Sequence, residues 1–183
     1  MEQQGIGIII QIRPFGNTSA IVRIFSQHHG ITAILAKGGY SKKMQTILQL
    51  GNLISFSVKK RLESHLGSGT IELTKSYGTL CVSDKTKCLI NVTLCEILNI
   101  LMQEDDPQTQ CYNDIMEFYC YMTECMHSVE ICKAYALCEN KIFKTCGMSD
   151  KYGAQTNLDL LRTVASERNM KIQFREMLQR HLP

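Results

Sequence analysis

Residues 6–37 read IGIIIQIRPFGNTSAIVRIFSQHHGITAILAK, and this stretch decides the fold of the first part of the chain. Isoleucines at positions 6, 8, 10 and 12 alternate with other residues, which is the period of a β-strand. Arg13–Asn17 brings a proline, a glycine and an asparagine together, a combination that turns the chain. Residues 19–26 are rich in β-forming side chains, His28–Gly30 turns the chain again, and residues 31–37 alternate once more. The stretch therefore predicts three strands joined by short turns.

Two further strands are predicted before residue 80. Apolar side chains alternate at positions 54, 56 and 58, after a polar stretch from Gly38 to about Gly51. The triplet Gly67-Ser68-Gly69 predicts a turn into a fifth strand with apolar side chains at positions 71, 73 and 77. Five short strands normally close on themselves, because closure leaves no strand edge unpaired. We therefore predict a five-stranded OB-type barrel over residues 1–80.

From about Asp84 the apolar period changes from two to 3.6, which indicates helices. Ser83 or Asp84 could cap the first helix, the acidic segment Glu104–Pro107 ends it, and Gly147 ends the third. Their buried faces are predicted from these apolar residues: Ile90, Leu94, Ile97, Leu98 and Leu101, then Tyr112, Ile115, Met116, Tyr119 and Met122, then Ile131, Tyr135, Cys138, Ile142 and Cys146.

A polar loop over residues 148–156 and two shorter amphipathic segments, Leu158–Glu167 and Lys171–Leu182, are predicted to follow. The fold class is thus β + α with two domains. An N-terminal OB-type barrel is followed by an all-helical C-terminal domain over residues 81–183.

Charge divides the chain at the same place. Residues 1–80 contain nine Lys and Arg against three Asp and Glu, whereas residues 81–183 contain eleven against fourteen. The net charge of +3 therefore conceals a basic module followed by an acidic one. A polyanionic partner is expected to bind the basic module.

The basic residues of the predicted barrel favour nucleic-acid binding. The loop after the third strand joins two glycines to Lys37, Lys42 and Lys43 and to Tyr40, whose ring could stack on a base. Further cations that could extend a track across the barrel are Arg13, Arg23, Lys59, Lys60 and Arg61. On composition alone, a merely solubilising charged face is an equal alternative.

No catalytic or metal site is predicted. All nine cysteines follow residue 80, and they lack the paired short spacings of a zinc site, the closest pair being Cys120 and Cys125 with His127 beyond. Cys81, Cys88 and Cys95 are spaced by sevens, which on a helix is one stripe, so reduced thiols that fill a core are expected. The serine and histidines of residues 26–30 have no neighbouring carboxylate that would complete a triad. Phosphate-loop and nucleophile-elbow motifs are absent from the sequence.

The sequence also predicts a cytosolic protein. It has no apolar run near the roughly 20 residues needed to cross a bilayer, and its first residues do not resemble a signal peptide.

Residues 7–43 resemble the opening of the RecO family of bacterial recombination-mediator proteins. The residues that carry the resemblance are Arg13, Pro14, Phe15, Gly16, Ser19, Phe25, Ser26, Gly30, Ala36, Lys37 and Gly38. The similarity continues more diffusely in residues 94–98, in the acidic segment Glu104–Pro107, and from Cys138 to Gly147.

The resemblance implies an OB-fold and a helical domain that bind single- and double-stranded DNA and anneal complementary strands. With the partner RecR, such proteins help RecA to load on DNA coated with single-strand-binding protein (SSB), without enzymatic chemistry or a cofactor. DNA binding is then carried by Lys37, Lys42, Lys43, Lys59, Lys60 and Arg61, with Arg13 and Arg23 as further candidates. A bacterial protein of the cytoplasm, associated with the nucleoid, is expected.

The sequence departs from the family in two places. Only a short loop separates Gly147 from Leu158, so the zinc arm of many members is expected to be deleted. Ala136 and Leu137 occupy positions that are often basic in the region that receives the acidic SSB tail. Lys133 and Lys141, about one helical turn away on either side, could replace that charge.

Two alternatives remain open. The span from Glu96 to Asp150, with ten carboxylates against three lysines, favours an interaction module of the recombination machinery with weak or no DNA binding. A thiol- or metal-dependent enzyme rests on the nine cysteines alone.

Overall fold

The structure is a computed structural model that describes residues 2–60, 66–148, 157–168, 170 and 172–179. The chain forms two compact units, Met1–Thr79 with Met102–Pro107, and Leu80–Leu101 with Gln108–Pro183. The strands are β1 (Glu2–Phe15), β2 (Ser19–Ser26), β3 (Gly30–Ala36), β4 (Leu53–Lys59) and β5 (Gly67–Lys75). The helices are α1 (Lys42–Ile47), α2 (Leu80–Ser83), α3 (Lys85–Leu101), α4 (Thr109–Glu124), α5 (Ser128–Thr145), α6 (Asn157–Glu167) and α7 (Phe174–Gln179).

The five strands form one closed barrel in the order β1-β2-β3-β5-β4. Strand β1 closes it, because its first half pairs with β4 and its second half with β2, with a β-bulge between Ile9 and Gln11. Every neighbouring pair is antiparallel except β3 and β5, which are parallel where Ile34 lies beside Gly67. This closed five-stranded arrangement confirms the OB-type barrel predicted from the strand pattern.

The barrel core consists of the inward-facing side chains that the alternation in the sequence predicts. They form one buried cluster of Ile9, Ala20, Val22, Ile24, Ile34, Ala36, Ile47, Leu48, Ile54, Phe56, Val58 and Ile71. The burial of these apolar side chains is the main stabilising contribution to the unit.

One helix of the barrel unit was not predicted, and two expectations for the fifth strand are wrong. The polar stretch after β3 contains the helix α1, which is too short to show a 3.6-residue period in the sequence. Residues 67–69 do not form a turn but begin β5, and Tyr77 lies beyond the end of that strand. Gly69 fits the strand because a Cβ there would lie 2.0 Å from the carbonyl oxygen of Ser57.

The second unit is helical, as predicted. The carboxylate of Asp84 caps α3 by accepting hydrogen bonds from the backbone N–H groups of Thr86 (2.8 Å) and Lys87 (3.1 Å). Helix α3 ends at Leu101, before the acidic segment, and Gly147 follows α5 with φ +66°. The predicted loop over residues 148–156 lies, after Met148, outside the described residues.

Polar contacts connect the helices of this unit. The Glu96 carboxylate on α3 accepts hydrogen bonds from the backbone N–H groups of Gln173 (2.7 Å) and Arg175 (2.9 Å) at the start of α7. Arg175 also donates from Nε to the buried carboxylate of Glu139 on α5, at 3.0 Å. These contacts fix the short α7, whose apolar surface is too small to hold it alone.

The cysteines differ in part from the expectation of core filling. Cys95, Cys111 and Cys138 are buried, but Cys120 is exposed and the others are half-buried. Cys81 lies on α2, so it does not share a helix with Cys88 and Cys95. Burial raises the pKa of Cys138 to about 12 and that of Cys88, which is also hydrogen-bonded to Cys81, to about 11.

Among the described residues, none of the helices is long and apolar enough to cross a membrane. Over the same residues, His, Cys, Asp and Glu side chains form no group of three or more that could hold a metal ion.

Candidate nucleic-acid interface

One end of the barrel brings together three segments, two of which carry basic residues: the end of β1 and the loop after β3. Phe15 at the end of β1 lies opposite Ser19 at the start of β2, and Ala20 lies opposite Ala36 at the end of β3. The loop after β3 packs back on the same place, because a Cβ on Gly39 would lie only 2.9 Å from the Cβ of Ala20. We call this end of the barrel the rim and define it by Arg13, Phe15, Lys37, Tyr40, Lys42 and Lys43.

Backbone hydrogen bonds shape the rim loop. Gly38 has φ +67°, and the N–H of Ser41 donates to its carbonyl oxygen at 2.9 Å, which closes a turn. The Ser41 hydroxyl accepts from the N–H of Met44 at 3.3 Å and so caps α1. The Gln45 side chain donates to the carbonyl oxygen of Tyr40 at 3.0 Å. The loop conformation therefore depends on the backbone and on the side chains of Ser41 and Gln45, which leaves its cationic side chains available for a ligand.

The rim cations are exposed, and no carboxylate of the described residues forms an ion pair with them. Within the described part of the chain, Arg13, Lys37, Lys42 and Lys43 take part in no ion pair. The sequence itself contains no Asp or Glu from residue 3 to residue 62. Lys42 and Lys43 also begin α1, where the helix dipole disfavours positive charge, so they do not stabilise this helix. These charges attract an anionic ligand, whereas they contribute little to the stability of the barrel.

Arg23 and Lys60 differ from the rim cations because they face carboxylates. Arg23 lies 3.8 Å from Glu104, and Lys60 lies 3.9 Å from Asp105, both in the acidic segment after α3. That segment forms β-bridges with the start of β3, where the N–H of Ile31 donates to the carbonyl oxygen of Gln103 at 3.1 Å. The acidic segment thus partly neutralises two of the predicted DNA-binding residues.

Lys59 lies far from Arg13 along the sheet. The register runs from Arg13 to Ile21, Leu35, Ser68 and finally Lys59, with each residue beside the next on a neighbouring strand. Four strand spacings of about 4.8 Å separate the two ends by about 19 Å along the sheet. Lys59 also pairs with a glutamate at the start of β1, at 3.6 Å. Arg61, the last predicted residue of the track, lies outside the described residues.

The two lysines predicted to bind an acidic tail are on α5. Lys133 and Lys141 are both exposed, and Leu137, halfway between them, is 67% exposed. Lys141 donates a hydrogen bond to Asp114 on α4 at 2.9 Å, which raises the pKa of Lys141. Asp114, Tyr121, Leu137 and Lys141 help to line a cavity of about 210 Å³ between α4 and α5. The lining of this apolar recess therefore carries the carboxylates of Asp114 and Glu117 as well as Lys141.

Phe15 belongs to the rim, although the sequence alone does not identify it as a binding residue. It is 50% exposed, and alternation along β1 places it on the same outer face as Arg13. The sequence signal that could have identified Phe15 is its position directly before the turn at Gly16, because a side chain beside a turn is poorly placed to join the core.

Fold and rim together define a class of protein: a closed OB-type barrel with cationic and aromatic side chains at one end, followed by a helical unit. Barrels of this class commonly bind oligonucleotides or oligosaccharides. Residues 1–77 match the family model described as Recombination protein O N terminal. Over these residues the chain is similar to the RecO family.

Individual relatives show the same similarity. The chain is 30% identical over 116 residues to DNA repair protein RecO of Cereibacter sphaeroides, covering 63% of this chain and 48% of the relative. It is 31% identical over 107 residues to the protein of the same name from Rhodospirillum rubrum, covering 58% and 42%. It is 33% identical over 110 residues to DNA repair protein RecO of Orientia tsutsugamushi, covering 60% of this chain and 46% of the relative. The chain spans about half the length of the curated relatives it matches.

Proposed function

We propose that this protein is a DNA repair and recombination mediator whose barrel binds single-stranded DNA at the rim. It also binds double-stranded DNA, anneals complementary strands and, with RecR, assists RecA loading on DNA coated with SSB. The proposal involves no covalent chemistry and no cofactor. It rests on the similarity of the barrel to the RecO family and on the composition of the rim.

One observation supports the proposal most strongly. Four exposed cations of the rim, Arg13, Lys37, Lys42 and Lys43, have no carboxylate partner within the described residues. Two exposed aromatic side chains, Phe15 and Tyr40, lie among them. Cations that track a phosphate backbone beside rings that contact bases are the usual composition of a single-strand site.

The proposed mechanism is neutralisation of phosphates by the rim cations. Each neutralised phosphate of a single strand releases condensed counterions and contributes about −0.7 to the slope of log affinity against log salt. Four contacts give a slope of about −3, so affinity falls about fiftyfold between 50 and 200 mM salt. Two strands neutralised in this way repel each other less, which favours annealing.

Charge reversal at the rim tests the proposal. The variant Lys37→Glu/Lys42→Glu/Lys43→Glu is expected to lose at least tenfold in affinity for a fluorescent oligo(dT), as about 1.4 kcal/mol of lost binding free energy would give. Its annealing of complementary oligonucleotides coated with SSB is expected to fall in parallel.

The matched control reverses three exposed lysines of the helical unit, Lys85, Lys133 and Lys144, which gives the same change in net charge. If this control loses as much affinity as the rim variant, net charge alone governs binding and the rim assignment is wrong.

A second candidate function is that of an interaction module, favoured by the face of α5. Leu137 is exposed between Lys133 and Lys141, beside the cavity against α4. The exposed Lys133 and the apolar recess are the features of that face that an acidic peptide with an apolar end, such as the SSB tail, would contact. Binding of a fluorescent SSB-tail peptide is expected to weaken in Leu137→Glu and to persist in the rim variant. Equal binding by Leu137→Glu and the unmodified protein would contradict this assignment.

A further inference from the structure

We propose that Phe15, together with Tyr40, forms a stacking platform that selects unpaired bases. The inference rests on the proposed function of the rim and extends it from the phosphates to the bases. It assigns Phe15 as a specificity-determining residue of this site.

The position of Phe15 follows from the strand register. Phe15 is the last residue of β1 and lies opposite Ser19, and Arg13 lies two residues earlier on the same outer face. At about 3.3 Å per residue, the Cα atoms of Arg13 and Phe15 are about 6.6 Å apart. A guanidinium and an aromatic ring at this separation can contact the phosphate and the base of one stretch of strand.

Tyr40 reaches the same end of the barrel from the loop. Its neighbour Gly39 packs on Ala20, which lies opposite Pro14, the residue directly before Phe15. The chain positions of the two aromatic residues therefore converge on the rim from separate segments.

Neither ring serves the packing of the barrel. Phe15 is 50% exposed and Tyr40 is 42% exposed, and neither belongs to the buried core cluster. Within the part of the chain that the structure describes, neither ring takes part in an aromatic pair or a cation–π contact. Large rings left in water favour burial against a ligand, and a base offers a flat apolar face.

Stacking on these rings requires unpaired bases. In a duplex each base already stacks on its neighbours and pairs with its partner, and exposing it costs a few kcal/mol. The phosphate contacts of the rim are available to both forms of DNA. The platform therefore adds preference for single strands on top of a charge attraction that does not discriminate.

The test compares two oligonucleotides with the same phosphates, oligo(dT) and an abasic strand of equal length. The unmodified protein is expected to bind oligo(dT) at least about fivefold more tightly than the abasic strand. A fivefold gain in affinity corresponds to the lower end of the stacking energy of one base. The variant Phe15→Ala/Tyr40→Ala is expected to lose most of this preference while it keeps the salt dependence of binding to the abasic strand. Phe15→Tyr is expected to retain the preference and Phe15→Leu to lose part of it.

The controls are chosen by matched exposure. Ile6 is 51% exposed on the same strand as Phe15, and Tyr121 is 41% exposed in the helical unit, so Ile6→Ala and Tyr121→Ala are expected to keep the preference. Salt-dependent binding without a preference for oligo(dT), or a preference that survives in Phe15→Ala/Tyr40→Ala, would overturn the platform and leave the proposed function standing. Failure to bind either strand would overturn both.

Discussion

Asn52 is the residue that attaches α1 to the barrel. Its buried side-chain amide donates to the carbonyl oxygens of Thr46 (3.3 Å) and Ile47 (3.0 Å) at the end of α1. Its oxygen accepts from the N–H of Gly78 at 2.8 Å and from the hydroxyl of Ser76 at 3.3 Å. One side chain therefore holds three segments, and it fixes the helix that follows the rim loop.

We expect Asn52→Ala to lower the free energy of unfolding by about 3 kcal/mol, because it leaves buried polar groups of the backbone without partners. Urea denaturation measures the change. The exposed Asn17→Ala is the control, expected to change stability by less than about 0.5 kcal/mol. Equal stability of the two variants would show that Asn52 does not have this role.

The cysteines provide a second prediction for single residues. Burial raises the pKa of Cys111 and of Cys138, so both thiols stay protonated and shielded at neutral pH, whereas Cys120 is exposed. A thiol reagent at pH 7.5 is expected to modify Cys120 at least about tenfold faster than either buried thiol. Peptide mapping after short labelling identifies the sites. Rapid labelling of Cys111 or Cys138 would revive the thiol-enzyme alternative.

Among the elements, long periodic segments were predictable from the sequence and short ones were not. The strands β1 to β3 and the helix α3 follow from alternation and from a 3.6-residue period, since each buries one continuous face. Helix α1 was missed because it buries only Ile47 and is held by Asn52, a contact that no local pattern reveals.

The candidate site shows the same limit. The rim lysines and Tyr40 were predictable because they are contiguous in one loop. Phe15 was not, because its proximity to that loop depends on the pairing of β1 with β2 and of β2 with β3. Nor does the sequence reveal that Arg23 and Lys60 face the acidic segment, since their partners lie far away along the chain.

The acidic segment leads to a prediction at the scale of elements. Glu104 and Asp105 are exposed carboxylates that lie near the less exposed side chains of Arg23 and Lys60. Glu104→Gln/Asp105→Asn is expected to raise affinity for oligo(dT) by about two- to fivefold and to steepen the salt slope, because two cations become available to phosphates.

The control for that variant is Glu117→Gln/Glu124→Gln, which makes the same charge change on exposed residues of the helical unit. Fluorescence anisotropy over a range of salt concentrations measures both. Equal gains in the two variants would mean that the acidic segment does not specifically mask the barrel cations.

For the whole molecule, the net charge of +3 is a poor guide to function because it averages a basic barrel and an acidic helical part. What matters for a polyanion is where charge lacks local compensation, and among the described residues the rim has this property. We therefore predict that DNA binding depends on a few cations at one end of the barrel.

The most direct test is the slope of log affinity against log salt for oligo(dT) binding to the unmodified protein and to Arg13→Ala/Lys37→Ala/Lys42→Ala/Lys43→Ala. Four phosphate contacts predict a slope of about −3 for the unmodified protein and a slope near zero for the variant, apart from residual contacts elsewhere. If the variant keeps the slope of the unmodified protein, the phosphates are neutralised elsewhere and the rim is not the DNA-binding site.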